Sequence, residues 1–191
     1  MPQTTAGPGV CTDPAWAETE ASGYRAGAEL FMDPTEGTPL AGTPLAPITL
    51  KLVEDGWPIQ HDQNEPTIFT TFEGKNGRRR AVVVFEPELE RLLVYAILVE
   101  TSTESSRSPQ LELLTRINYG LGTGCFEMDL DDGEIRYRVT LPAAMAMPHV
   151  LVPMLVDACM TVDTYAPAFD SVVDGTPVQA ALHQLQTTFG A

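Results

Sequence analysis

At 191 residues the chain is long enough for one domain and a tail, and a domain of roughly 145 residues buries about two thirds of its unfolded surface. Its 26 acidic against 11 basic residues give a formal net charge of -15, which disfavours nucleic acid and anionic lipid heads as partners. Cys11, Cys125 and Cys159 are odd in number and widely separated, which excludes a disulfide framework and a CxxC metal pair and fits a reducing cytoplasm.

Residues 1–46 are rich in Pro, Thr and Gly and form an expected flexible leader. A local helix over 15–32, carrying Trp16, Tyr24, Leu30 and Phe31, is weakened by Gly23 and Gly27. No Lys or Arg precedes an apolar run at the N-terminus, so a secretory signal is not expected. The domain is assigned to 47–191, opening with a helix from Pro47 to Asp55 that Gly56 ends. An edge strand over 57–60 and a polar loop over 61–66 follow. Thr67–Glu73 and Arg79–Glu86 are then strands joined around Asn76-Gly77, a turn dipeptide that accepts positive φ. This register opposes Phe72 to Ala81, Thr70 to Val83, Ile68 to Phe85 and Glu73 to Arg80. Arg91–Val99 is almost wholly apolar, as expected for a central strand covered on both faces.

Ser108 and Pro109 have the pattern of an N-cap and first helical residue, with Leu113, Leu114, Ile117 and Leu121 as the buried stripe and Gly120 or Gly122 as the end. The next segment, Gly124–Thr140, is a hairpin. A two-residue turn at Asp132-Gly133 would set Leu130 against Ile135, Met128 against Tyr137 and Phe126 against Val139. The opposite face would pair Asp129 with Arg136 and Glu127 with Arg138. The C-terminal part is helical, starting near Pro148, broken at Pro167, and closed by an amphipathic piece over 177–187. Val139–Val156 lacks charge, but Pro142, Pro148 and Pro153 interrupt it, and a spanning helix needs about 20 predominantly apolar residues. No membrane span is expected. The whole is an α+β layout, an antiparallel sheet with N-terminal, middle and C-terminal helices.

Five sequence elements resemble the YbjN family: Glu54-Asp55-Gly56-Trp57-Pro58, Asn76-Gly77, Leu114-Thr115-Arg116-Ile117-Asn118-Tyr119-Gly120, the Asn118–Val139 segment, and Asp163-Thr164-Tyr165-Ala166-Pro167. The resemblance extends over about Ile48–Gly175. It implies a fold like that of type III secretion chaperones and a non-enzymatic role among proteins described as sensory transduction regulators. The family supplies no catalytic residues to transfer.

The residues themselves offer little chemistry. Gly120, Gly122 and Gly124 close a helix and open a strand, the reverse of a dinucleotide-binding glycine loop. Asp129, Asp131, Asp132 and Glu134 carry the oxygen ligands a hard cation prefers, but alternation divides them between a strand face and a turn. His61, His149 and His183 lack ligand spacing, no GxSxG occurs, and the sequence identifies no basic neighbour for Cys125. Arg78-Arg79-Arg80 follows a hairpin turn and is taken as a solvated strand end. Catalytic, cofactor-binding and metal-binding residues are therefore expected to be none.

The apolar run over 142–154 is the candidate partner surface, through Met145, Met147, Leu151 and Met154, because flexible methionines suit adaptable contacts. The leading expectation is a cytoplasmic protein-binding or regulatory module that engages a protein partner or forms a homodimer. Two alternatives are a small-molecule sensor with a pocket between sheet and helices near 145–154, and an enzyme assembled from dispersed residues.

Overall fold

The computed structural model describes residues 38–189, so Cys11 and the expected leader helix with Trp16, Tyr24, Leu30 and Phe31 lie outside the described residues. Six antiparallel strands form one sheet: β1 (Ile59–His61), β2 (Thr67–Gly74), β3 (Gly77–Glu86), β4 (Arg91–Val99), β5 (Cys125–Met128) and β6 (Ile135–Pro142). Their spatial order is β1-β2-β3-β4-β6-β5. Four helices accompany them: α1 (Leu45–Glu54), α2 (Glu104–Asn118), α3 (Pro148–Val173) and α4 (Val178–Phe189). The α+β layout expected from the sequence is present.

Helix α3 organises the core. It packs on β2, β3, β4 and β6 and touches the other three helices. Leu151, Leu155, Ala158, Val162 and Phe169 face the inward positions of the sheet, among them Ile68, Val83, Val94, Ala96 and Tyr137, all buried. Phe126 ties helix to sheet, with its ring centroid 5.1 Å from that of Tyr137 and 5.6 Å from those of Tyr165 and Phe169. Such tilted aromatic contacts stabilise by about 1 kcal/mol each beyond their burial. Helix α1 buries Leu45, Ile48, Thr49 and Leu52, the spacing of one helical stripe. Leu40 and Leu45, from the stretch assigned to the leader, are fully buried in the same core.

Two helix expectations need correction. Helix α2 begins at Glu104 and runs through Pro109, because the Thr103 carbonyl gathers the first turn by accepting from the Ser106 and Arg107 amides. Helix α3 is continuous for 26 residues through Pro153 and Pro167. Pro167 lacks the N–H that would bond the Asp163 carbonyl one turn earlier. That freed oxygen accepts instead from the Asn76 side-chain amide at 2.9 Å.

Both hairpin registers differ from expectation by two residues. In the first, Thr70 faces Ala81, Phe72 faces Arg79 and Glu73 faces Arg78, so the turn is Lys75-Asn76, flanked by Gly74 and Gly77. The cause is tertiary. The Asp163 carboxylate in α3 accepts from the Lys75 and Asn76 amides at 3.0 and 2.7 Å. Gly74 lies so close that a Cβ there would sit 2.1 Å from Asp163 Oδ1. In the second hairpin, Phe126 faces Tyr137, Glu127 faces Arg136 and Met128 faces Ile135. Residues 129–134 form a longer loop closed by Gly133 N–H to Asp129 C=O at 2.9 Å. Leu130, expected opposite Ile135, is exposed. Gly133 has φ +81°, and a Cβ would come within 2.7 Å of Ser102.

The remaining correction concerns β4. Leu92, Val94, Ala96 and Leu98 meet the helices, but no described helix covers its other side, where Leu93 and Ile97 are buried by sheet side chains alone.

Removing the Asp163 carboxylate orphans two backbone donors, so Asp163→Ala should lower unfolding free energy by about 3 kcal/mol. Gly74→Ala should cost a similar amount. Gly122→Ala, which meets open space, should stay within about 0.5 kcal/mol of wild type in the same denaturant titration. Gly133→Val, which puts a branched side chain at positive φ against Ser102, should lower stability by more than about 1 kcal/mol; an unchanged midpoint would contradict the loop packing.

Candidate functional site

Strand alternation puts every second residue of β2, β3, β4 and β6 on the face away from the helices. At its centre are Phe69, Val82, Val84, Leu93, Tyr95 and Ile97, all buried or half-buried. Phe69, Val82, Tyr95 and Ile97 line a shallow depression together with Arg80, Glu134 and Arg136. This depression lies on the open face and not between sheet and helices.

A rim of ion pairs surrounds the apolar centre. Arg80 joins Glu100, Arg91 joins Glu86, and Arg78 lies 3.6 Å from Glu73. Glu127 bridges Arg136 and Arg138, each at 2.7 Å, and Arg136 also reaches Glu134 at 3.3 Å. The expected Glu73–Arg80 and Asp129–Arg136 pairings are thus replaced by pairings that the shifted registers permit, whereas the expected Glu127–Arg138 ion pair is present, made diagonally because Glu127 faces Arg136. The Arg136 guanidinium stacks 4.2 Å from the Tyr95 ring centroid, a cation–π contact that fixes both side chains. Burial raises the Glu134 carboxyl above its ordinary value, against the opposing pull of Arg136. Burial likewise raises the Tyr95 phenol.

The hairpin beside this face is held from behind. Arg107 in α2 donates to the carbonyls of Leu130 and Ser102 at 3.0 and 3.3 Å. Asn118, the last residue of α2, donates to the Phe126 carbonyl and accepts from the Phe126 amide at 2.8 and 2.7 Å. Its side chain thereby satisfies backbone groups of the edge strand β5.

The methionine segment divides. Met145 and Met147 are 50% and 44% exposed, whereas Leu151, on the inner side of α3, is fully buried and Met154 of the same helix is half-buried against the core. Ala143 N–H bonds the Glu90 carbonyl at 2.8 Å, bringing Met145 to the end of the sheet that also carries exposed Leu89. Sequence alone could not separate these residues, because a short apolar run has the same composition on either side of a helix.

The acidic loop serves itself. Asp129 and Asp132 each accept a backbone amide two residues ahead, from Asp131 and Glu134, both at 2.8 Å. Among the described residues no group of three or more His, Cys, Asp or Glu is placed to hold a metal ion. His149 and His183 are exposed, and His61 Nδ1 lies 2.9 Å from the Asp62 carbonyl. Cys125 does have a basic neighbour that the sequence did not reveal: Arg138 Nη2 lies 3.9 Å from its sulfur. Cys159 is buried, and burial pushes its thiol well above the ordinary range. No helix among the described residues is long and apolar enough to cross a membrane.

Comparison with curated proteins returns no match. Among solved structures, the chain is similar to one described as "Crystal Structure of the ExsC-ExsE Complex", at 16% identity and a TM-score of 0.41, covering 52% of this chain and 74% of that one. The YbjN family model, described as "Putative bacterial sensory transduction regulator", matches residues 46–171. With the whole sheet, α2 and nearly all of α3 inside that match, the chain belongs to the YbjN family.

Proposed function

We propose that the chain is a cytoplasmic, non-enzymatic protein-binding or regulatory module that works through the open face of its sheet. One observation supports this above the others: an apolar centre with an aromatic anchor, Tyr95, lies within a rim of Arg–Glu pairs on the side of the sheet that no described helix covers. Protein interfaces share this anatomy, with a desolvated centre rich in aromatic and Arg side chains and a polar border that excludes water. The partner is a protein or a second copy of the chain. Nucleic acid is disfavoured by the net charge of -15. Met145 and Met147, with Leu89, offer a smaller exposed apolar contact at the sheet end; Leu151 is buried and anchors α3 to the core.

A photo-crosslinking side chain at Val82, in the centre of the face, should yield protein adducts in native extract. The same group at Leu111, exposed on α2, should not. Val82→Asp should weaken the captured association by about thirtyfold or more, the loss of roughly 2 kcal/mol expected at an interface centre. Equal adducts from both positions, or none from Val82, would contradict the assignment.

A further inference from the structure

We propose that residues 15–32 of this chain, which carry Trp16, Tyr24, Leu30 and Phe31, dock on the β1–β2 end of the open sheet face. The proposal rests on the reading of that face as a protein contact and assigns one part of it, leaving the stretch from Val82 to Arg138 to the partner. The registers align one residue from each of five strands across the face: Gln60, Phe69, Val82, Tyr95 and Arg138. At the β1–β2 end of this row two polar atoms are orphaned. Gln60 Oε1 and, two residues along β2 from Phe69, Thr71 Oγ1 are buried and have no hydrogen-bond partner among the described residues. Thr71 is only 2% exposed. Each atom has given up water without gaining a bond, which is unfavourable. An occupant that satisfies both brings N–H donors together with apolar cover, as a peptide segment does through its backbone and the Trp indole N–H.

Charge and tether select the leader as that segment. Residues 1–37 contain six acidic residues, from Asp13 to Glu36, against Arg25 alone. The dense basic run Arg78-Arg79-Arg80 lies at the same end of the sheet, and Arg80 stands opposite Thr71. Its pair with Glu100 uses Nε and Nη2, so Nη1 is left for a second carboxylate. The described chain is also anchored here: Leu40 is fully buried, and α1, which follows it, packs on β1 and β2. Strand β1 is three residues long, and packed layers lie about 10 Å apart. Residues 33–37 reach roughly 17 Å when extended, enough to round that edge. A tether this short gives an effective concentration in the millimolar range, at which a weak contact is occupied. The leader's composition does not offset the cost of folding alone, but a preformed apolar surface removes that requirement.

In the purified full chain, a photo-crosslinking side chain at Gln60 should form adducts within residues 15–32 of the same molecule, located by tandem mass spectrometry after digestion. The same group at Leu111, exposed on α2, should form none there. Trp16→Ala combined with Phe31→Ala should lower the Gln60 yield at least fivefold, and Arg80→Glu at least threefold. A second measurement leaves the sheet unaltered: in the wild-type chain, Trp16 should oxidise under hydroxyl radicals at least threefold more slowly than in an isolated peptide of residues 10–37. Equal oxidation in chain and peptide, Gln60 adducts that join two chains, equal adducts from Leu111, or a yield unchanged by the Trp16 and Phe31 substitutions overturns the proposal. No partner is present in either measurement, so a negative result removes the leader from the face and leaves the capture through Val82 to decide the partner-binding reading.

Discussion

The Asp163 carboxylate, inserted from α3 into the β2–β3 turn, is the contact on which the arrangement of the sheet depends. It accepts the two turn amides, while its own carbonyl, released by Pro167, takes the Asn76 side chain. A buried carboxylate is costly unless its lone pairs are satisfied, so this site is occupied by one turn geometry and no other. Gly74 is required for the approach. With the turn fixed at Lys75-Asn76, Arg80 stands opposite Thr71 instead of Glu73 and is placed to reach Glu100. The rim of the open face is therefore a consequence of a contact made on the helical side.

The other end of the sheet follows the same logic. The Asn118 amide plays the part of a further strand for Phe126, occupying groups that an edge strand would otherwise leave available for pairing with another chain. Arg107 and the tight approach of Gly133 to Ser102 hold the acidic loop against α2. With this edge blunted, the open face is the part of the sheet left for the proposed contact.

The sequence made the faces legible but not the registers. Strand alternation has a period of two, so a two-residue slip keeps Ile68, Phe72, Ala81 and Val83 facing the helices while changing every cross-strand neighbour. Asn76-Gly77 and Asp132-Gly133 announced hairpins correctly, because glycine at positive φ was needed at both places. Local propensity could not show that Gly77 flanks its turn, or that Gly133 ends a longer loop. Pro109 and Pro167 suggested a helix start and a break for the same reason: the compensating partners, such as Asn76 for the Asp163 carbonyl, are distant in sequence. The open face was hidden by composition. A run such as Arg91–Val99 is apolar enough to be covered on both sides, and here its second face is covered by neighbouring sheet side chains and rimmed by ion pairs.

The reading proposed for this fold stands on one claim: a protein partner covers the open face of the sheet. Hydroxyl-radical footprinting of Tyr95 against Tyr119, on the isolated protein and on the protein bound to the partner captured through Val82, tests it most directly. Tyr95 sits half-buried at the centre of the face, and Tyr119, just past the end of α2, is 97% exposed. Oxidation of Tyr95 should fall in the complex while that of Tyr119 stays constant. A ratio that is the same for the isolated and the bound protein would contradict it.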